Sequence, residues 1–386
     1  MAHPLRRLAL LVPLLSLTWA LLAPGPARAL PLFARKLSMP CTQCHLAFPR
    51  LNDFGMKFKQ RGYILEGSEG ESPWESANFP VSLIGNVGLS LAGTDSLDAG
   101  GHRQRTTLVQ FQQNAVEFHT AGTLAKKVTF HFDNGFATDT GVLISGMAFV
   151  QFDDLAKNGA LNLKAGIYDA EIPYLSSARR TTQVDYLTPL TLDAEGLELN
   201  GQRQGWTYAL GLMNSGRTHG ATGDHALNRL EDVYLWAMRD LGGQFVTVRV
   251  LADRQDPRAA TGSASLHTQI DLSALLTRQR LTLIPAYVLE THADPDAETP
   301  DRVHHGLLEA LLPLDPEGHW VMTGRYELQH MPKTALLAEA DQWLGALNVG
   351  YYVNPNAKVG LEWAHSANNV GEPFVDAAQV YVQVGY

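Results

Sequence analysis

The chain has 386 residues, 39 of them acidic and 30 basic, for a formal net charge of −9. That balance excludes a nucleic-acid binder working through a basic surface, because phosphate contacts need clustered Lys and Arg. Two cysteines are too few for a disulfide framework, and no stretch past the N-terminal leader stays apolar for about 18 residues, so no helical membrane span is expected.

Residues 1–29 read as a secretory signal peptide. Arg6 and Arg7 supply the positive region, Leu8 to Leu22 the apolar region, and Ala27-Arg28-Ala29 an A-x-A cleavage site. Pro13 and Pro24-Gly25-Pro26 interrupt the apolar run and argue against a transmembrane anchor. Removal of Arg6, Arg7 and Arg28, with no acid lost, takes the net charge from −9 to about −12.

Residues 30–66 form a small segment around Cys41-Thr42-Gln43-Cys44-His45. C-x-x-C-H is the attachment signature of c-type haem. The two thiols add to the haem vinyl groups, and the adjacent His45 becomes the proximal iron ligand. A redox dithiol with the same spacing normally follows a strand in a βαβ pattern, and none surrounds it here. Phe48, Leu51, Phe54 and Phe58 recur at helical spacing and predict one apolar face for packing on the porphyrin. Pro49 suits the first helical position and Gly62 the stop. Met56 is a distal-ligand candidate, although it sits about 140° round a helix from Leu51. Met39, His119 and His131 are alternatives. Residues 67–78 read as a linker.

From 79 to 386 the apolar period changes to two. Val128, Phe130 and Phe132 alternate with Thr129, His131 and Asp133, and Val359, Leu361 and Trp363 alternate with Lys358, Gly360 and Glu362. Sixteen strands are expected, many of them roughly 9–14 residues long, the length of tilted membrane strands rather than of soluble ones. The connections alternate. Gln202-Arg203 and Leu241-Gly242 are short, whereas 169–194 and 214–229 are long. That asymmetry, with a last strand ending on Tyr386, predicts an all-β, antiparallel outer-membrane β-barrel of about 16 strands, preceded by a small α-helical c-type haem segment. Short turns would face the periplasm and lipid would surround the wall. The face opposite the apolar one carries Glu117, His119, His131, Lys164, Arg325, Glu327, Lys358 and Glu362, as a hydrated lumen requires. The acidic loop from His292 to Glu298 would concentrate cations.

The run from Pro31 through Phe33-Ala-Arg35, Met39, Cys41-Thr-Gln-Cys44-His45, Phe48-Pro49-Arg-Leu51, Phe54-Gly55, Phe58-Lys59 and Gly62-Tyr63 resembles the fused monohaem cytochrome–porin family of outer-membrane iron oxidases. It covers about 33 residues. Weaker echoes lie in Lys164-Ala-Gly166 and Ser177-Ala-Arg179-Arg180. The resemblance implies one covalent haem c. It also implies a one-electron oxidoreductase role, with an extracellular donor (Fe(II) in that family) and a periplasmic c-type cytochrome as acceptor. Outer-sphere transfer needs no acid, base or nucleophile, so no catalytic residue is expected. Two other readings use the same scaffold: an outward conduit or different redox partner, and a passive porin whose haem is a plug or sensor.

Overall fold

The computed structural model describes residues 33, 37, 39–65, 81–97, 103–113, 116–136, 143–170, 172, 174–176, 179–190, 193–215, 232–255, 265–293, 301–332, 339–354, 357–368 and 375–385. The predicted signal peptide, the linker and residues 294–298 of the acidic loop lie outside them.

The N-terminal segment holds a two-strand hairpin, β1 (His45–Ala47) and β2 (Arg50–Leu51), and one helix, α1 (Asp53–Gln60). The wall follows as β3 (Val81–Leu97), β4 (Arg103–Gln113), β5 (Val116–Ala125), β6 (Val128–Phe136), β7 (Leu143–Ala156), β8 (Leu161–Asp169) and β9 (Asp193–Arg203). It continues as β10 (Trp206–Ser215), β11 (Asp232–Asp240), β12 (Phe245–Gln255), β13 (Ser265–Arg278), β14 (Leu281–Ala293) and β15 (Asp301–Pro313). Finally come β16 (Trp320–Met331), β17 (Ala340–Asn354), β18 (Ala357–Asn368) and β19 (Val375–Gly385).

These strands close into one antiparallel barrel, with β19 pairing on β3. Both β4 and β5 pair with β3, in the registers Val87↔Gln113 and Ile84↔Glu117. Three steps along β3 thus face four along the partner, and both described segments pair with the same strand. The two segments share one place in the wall, so the barrel has sixteen strand positions, as the periodicity predicts. Short turns such as Gln204-Gly205 and Gln279-Arg280 gather at one end with the start of β3 and the end of β19. Long connections gather at the other.

Alternation decides what each face meets. Leu235, Leu272, Leu308, Leu347, Leu361 and Val380 point outward and are exposed, whereas Arg249, Glu309, Arg325, Glu327, Lys358 and Glu362 point inward and are buried. An apolar exterior around a polar interior is a membrane-spanning barrel turned toward lipid. No helix among the described residues is long and apolar enough to cross a membrane. The crossing is made by strands, whose closed ladder pairs the backbone across the wall as a hydrocarbon layer requires.

The lumen is not an open tube among the described residues. The described residues between β8 and β9, among them 179–190, fold inward. Thr181 Oγ1 lies 2.9 Å from Thr323 Oγ1, the Gln183 and Val184 amides donate to Glu362 at 2.6 and 2.7 Å, and the Thr188 amide donates to Glu327 at 2.8 Å. The N-terminal segment fills the short-turn half. Tyr352 donates to the Phe48 carbonyl at 2.8 Å, Lys57 reaches Asp240 at 3.1 Å, and Gln202 donates to the Lys57 carbonyl at 3.3 Å. Arg50 is fully buried, bonded to Glu309, to the Tyr174 carbonyl and to Tyr186. The residues read as a separate small segment are thus a plug inside the barrel.

The helix is shorter than predicted. Phe48 and Leu51 do not belong to it, and Pro49 lies in the turn between β1 and β2 rather than at the first helical position. Asn52 sets the real start. Its side chain accepts from the Gly55 amide at 2.9 Å, an N-cap that outweighs the apolar spacing. The stop at Gly62 is as expected. Its φ of 66° is a left-handed conformation that glycine adopts at little cost, and its amide returns to the Lys59 carbonyl at 3.0 Å.

Candidate functional site

Cys41–Gln43 make a single 3₁₀ turn, closed by the Cys44 amide on the Cys41 carbonyl at 3.1 Å. His45 then opens β1 opposite Leu51. Asn52 ties the turn to the helix. Its side-chain amide donates to the Thr42 and Gln43 carbonyls at 3.1 and 3.0 Å, and its backbone amide donates to the Cys44 carbonyl at 2.9 Å. Gly55 is pressed against the same carbonyl, and a Cβ there would lie 2.1 Å from the Cys44 oxygen. Gly55→Ala is therefore expected to push α1 off the motif and to destabilise the plug by about 1–3 kcal/mol. Thermal unfolding of the purified barrel followed by near-ultraviolet circular dichroism checks this.

The electrostatics of the motif are simple. Both thiols are free and partly buried, and burial raises their pKa values above the ordinary range. Burial lowers the His45 pKa to about 4, against weaker support from the Pro49 and Arg50 backbone. The ring is neutral near pH 7. Its Nδ1 lies 3.1 Å from the Pro49 carbonyl, which can only accept, so Nδ1 carries the proton and Nε2 presents a lone pair. That is the tautomer a metal-ligating histidine adopts when its second nitrogen is held by a backbone carbonyl.

Cys41, Cys44 and His45 line a cavity of about 1040 Å³ in the lumen, at the upper end of the size range of cofactor sites, about 300–1,000 Å³. Phe48, Leu51 and Phe58 line it as well. Phe54 stands behind, its ring 6.1 Å from Phe58 and nearly parallel. Phe33 packs on Phe58 at 5.1 Å and on Tyr63 at 4.7 Å. Tyr63 stacks on His131 at 5.5 Å, and His131 on Phe149 at 5.4 Å. This aromatic run joins plug to wall. Sequence reasoning missed it, because its link from plug to wall joins Tyr63 to His131, 68 residues on, and such a pair leaves no local period.

The distal candidates separate cleanly. Met39, His119 and His131 line the cavity. Met56 does not. It is 1% exposed, packed in the cluster with Leu51, Tyr168 and Trp236. Standing two residues from both Phe54 and Phe58, it faces about 160–200° away from them on the helix. His119, His131 and Asp133 bring one donor atom each within 4.8 Å of one another on the facing wall. Arg179 and Arg180 of the inner loop also line the cavity, and the guanidinium of Arg179 adds to the depression of the His45 pKa. The predicted lumen residues Lys164, Arg325, Glu327, Lys358 and Glu362 are buried inside the barrel. Several pair with each other or with the inner loop, as Arg325 does with Glu327 at 3.0 Å, and Lys164 pairs with Glu198 of β9 at 2.6 Å. They do not line the cavity that holds the motif.

No family profile and no curated protein matches this sequence. Solved structures do. The chain is similar to an anion-selective porin from Comamonas acidovorans, with 13% identity over 79% of this chain and 99% of that one, and a TM-score of 0.57. It is similar to the outer-membrane channel DcaP of Acinetobacter baumannii, with 12% identity over 80% and 97% and a TM-score of 0.57. It is also similar to OmpT of Vibrio cholerae with loop L8 deleted, with 11% identity over 79% and 99% and a TM-score of 0.53. At these identities the likeness is one of fold: a sixteen-stranded, porin-like barrel.

Proposed function

We propose that this protein is an outer-membrane barrel that carries one haem c covalently in its lumen and moves single electrons across the wall's insulating layer. In this reading the donor is external, Fe(II) by the family resemblance, and the acceptor is a periplasmic c-type cytochrome. The observation that carries it is the position of C-x-x-C-H on a cavity of cofactor size, with His45 Nε2 unprotonated. Bound there, the haem supplies a one-electron iron couple. The chain's own residues do the rest. Cys41 and Cys44 anchor the group. The Pro49 carbonyl fixes the tautomer of His45. Asn52 and Gly55 hold the turn on α1. Phe48, Leu51 and Phe58 exclude water from one side, and Arg179 and Arg180 offer charge to carboxylate substituents.

The test is an anaerobic absorbance spectrum of the detergent-solubilised protein before and after Fe(II). Sharp reduced c-haem bands on adding Fe(II) are the expected result. Reduction by dithionite but not by Fe(II) would remove iron as the donor and keep the conduit.

A second reading, a passive porin with a structural or sensory haem, draws on the likeness of fold to channel proteins. Replacement of His45 separates the two. A passive pore keeps its conductance and physiological role, whereas a conduit loses the role.

A further inference from the structure

We infer that His267, Glu290 and His292 form a site for a divalent transition-metal ion at the long-loop end of the lumen, with Asp253 as the group that orients it. The four residues lie on β12, β13 and β14. Register puts Asp253 opposite His267 and His267 opposite His292, in one row across three strands, with Glu290 two residues before His292 on the same inward face. None of them lines the cavity that holds Cys41, Cys44 and His45. The site is therefore separate from the proposed haem and independent of it.

The donors converge. His267, Glu290 and His292 each bring one ligand atom within 4.8 Å of the others. The rings of His267 and His292 lie 4.6 Å apart. His267 is fully buried and meets a carboxylate on both sides, with Nδ1 against Asp253 and Nε2 3.2 Å from Glu290. A neutral imidazole has one N–H and can satisfy only one of them. With Nδ1–H given to Asp253, the Nε2 lone pair faces the Glu290 oxygen, two buried acceptors in contact, which is costly when nothing lies between them. A cation shared by Nε2 and the carboxylate turns that conflict into two bonds. The resulting chain, carboxylate to histidine to metal, is the usual way a ligating histidine is held.

Two further atoms are buried without a hydrogen-bond partner in this cluster: Oδ2 of Asp253 and Nδ1 of His305, whose Nε2 lies 3.1 Å from Glu290. Two imidazoles and one carboxylate suit a first-row divalent ion with open positions, among them Zn(II), Co(II) and Fe(II), rather than calcium or magnesium, which favour all-oxygen sets. Of the acidic loop that the sequence marks as a collector of cations, only His292 belongs to this set.

The experiment is titration of the chelator-stripped, detergent-solubilised full-length protein with Co(II), read by visible absorbance, and with Zn(II), read by calorimetry. The wild type is expected to bind one ion at this site. Asp253→Asn is expected to weaken it about 10–100-fold, the cost of losing an outer partner, and Glu290→Gln to weaken it further. His292→Ala, at a partly exposed position, guards against misfolding of the buried variants, and heat-modified gel mobility reports closure of each barrel. Equal binding by the wild type, Glu290→Gln and His292→Ala would overturn the proposal. So would a wild type that takes up no ion there, since a proton on His267 would then resolve the conflict.

Discussion

Serine at both Cys41 and Cys44 is expected to leave a closed barrel with no covalent haem. The thioether bonds need sulfur, and no other cysteine exists in the chain to replace them. The barrel itself should persist, because its sixteen-position ladder is made by backbone pairing that does not involve the turn at Cys41. The measurement is a pyridine haemochrome spectrum after denaturing electrophoresis, on protein made in cells with a working c-type maturation system. Complete loss of the haem signal in the double variant, with unchanged heat-modified mobility, is the expected outcome. A haem signal that survives would put the cofactor elsewhere. A wild type that carries no haem would end both haem-bearing readings and leave a barrel of porin-like fold.

The second large effect is expected at Arg50. Its side chain is fully buried, as is that of its partner Glu309. Glu309 also accepts from Tyr186 at 2.8 Å, which places three groups of plug, inner loop and wall in one network. Arg50→Ala removes the cation and leaves a buried carboxylate uncompensated, a change that costs about 3–5 kcal/mol. The strain falls on the contact between plug and wall, not on the strand ladder. We therefore expect higher single-channel conductance in planar bilayers and earlier thermal loss of near-ultraviolet signal, with far-ultraviolet strand signal retained. Pairing Arg50→Met with Glu309→Leu is expected to restore most of the stability, because an apolar pair of similar volume can replace a buried ion pair. Unchanged conductance and unchanged melting in Arg50→Ala would show that this network does not hold the plug.

Arg50 also illustrates what a linear reading misses. In sequence it is one basic residue between Pro49 and Leu51. Its partner lies 259 residues away, and nothing local marks the pair. The same holds for Asn52 and Gly55. Asn before an apolar run is a recognisable N-cap signal, and reading it would have placed the helix start correctly. The four aromatic and aliphatic positions, Phe48, Leu51, Phe54 and Phe58, fitted a helical stripe, yet a hairpin takes the first two and the helix the last two. Local hydrogen bonding at Asn52 prevailed over periodicity there. Met56 was legible in part, since its angular position already set it apart from the aromatic face. Its burial beside Trp236 follows from the plug's contact with the opposite wall, which no local pattern encodes.

By itself the sequence determined the barrel and the motif. A strand's side chains alternate with period two whatever its neighbours do, so sixteen amphipathic runs with short and long connections already imply a closed wall with lipid outside and polar groups inside. C-x-x-C-H is likewise contiguous, and as a motif it is legible from spacing alone. Only the tertiary structure decided that the N-terminal segment lies within the lumen, that His45 faces a cavity with its Nδ1 held by Pro49, and that Asp253, His267, Glu290 and His292 meet in one row. These are contacts between residues far apart in the chain, fixed by strand register and barrel closure, and period-two alternation says which face a residue takes but not which residue it will meet there.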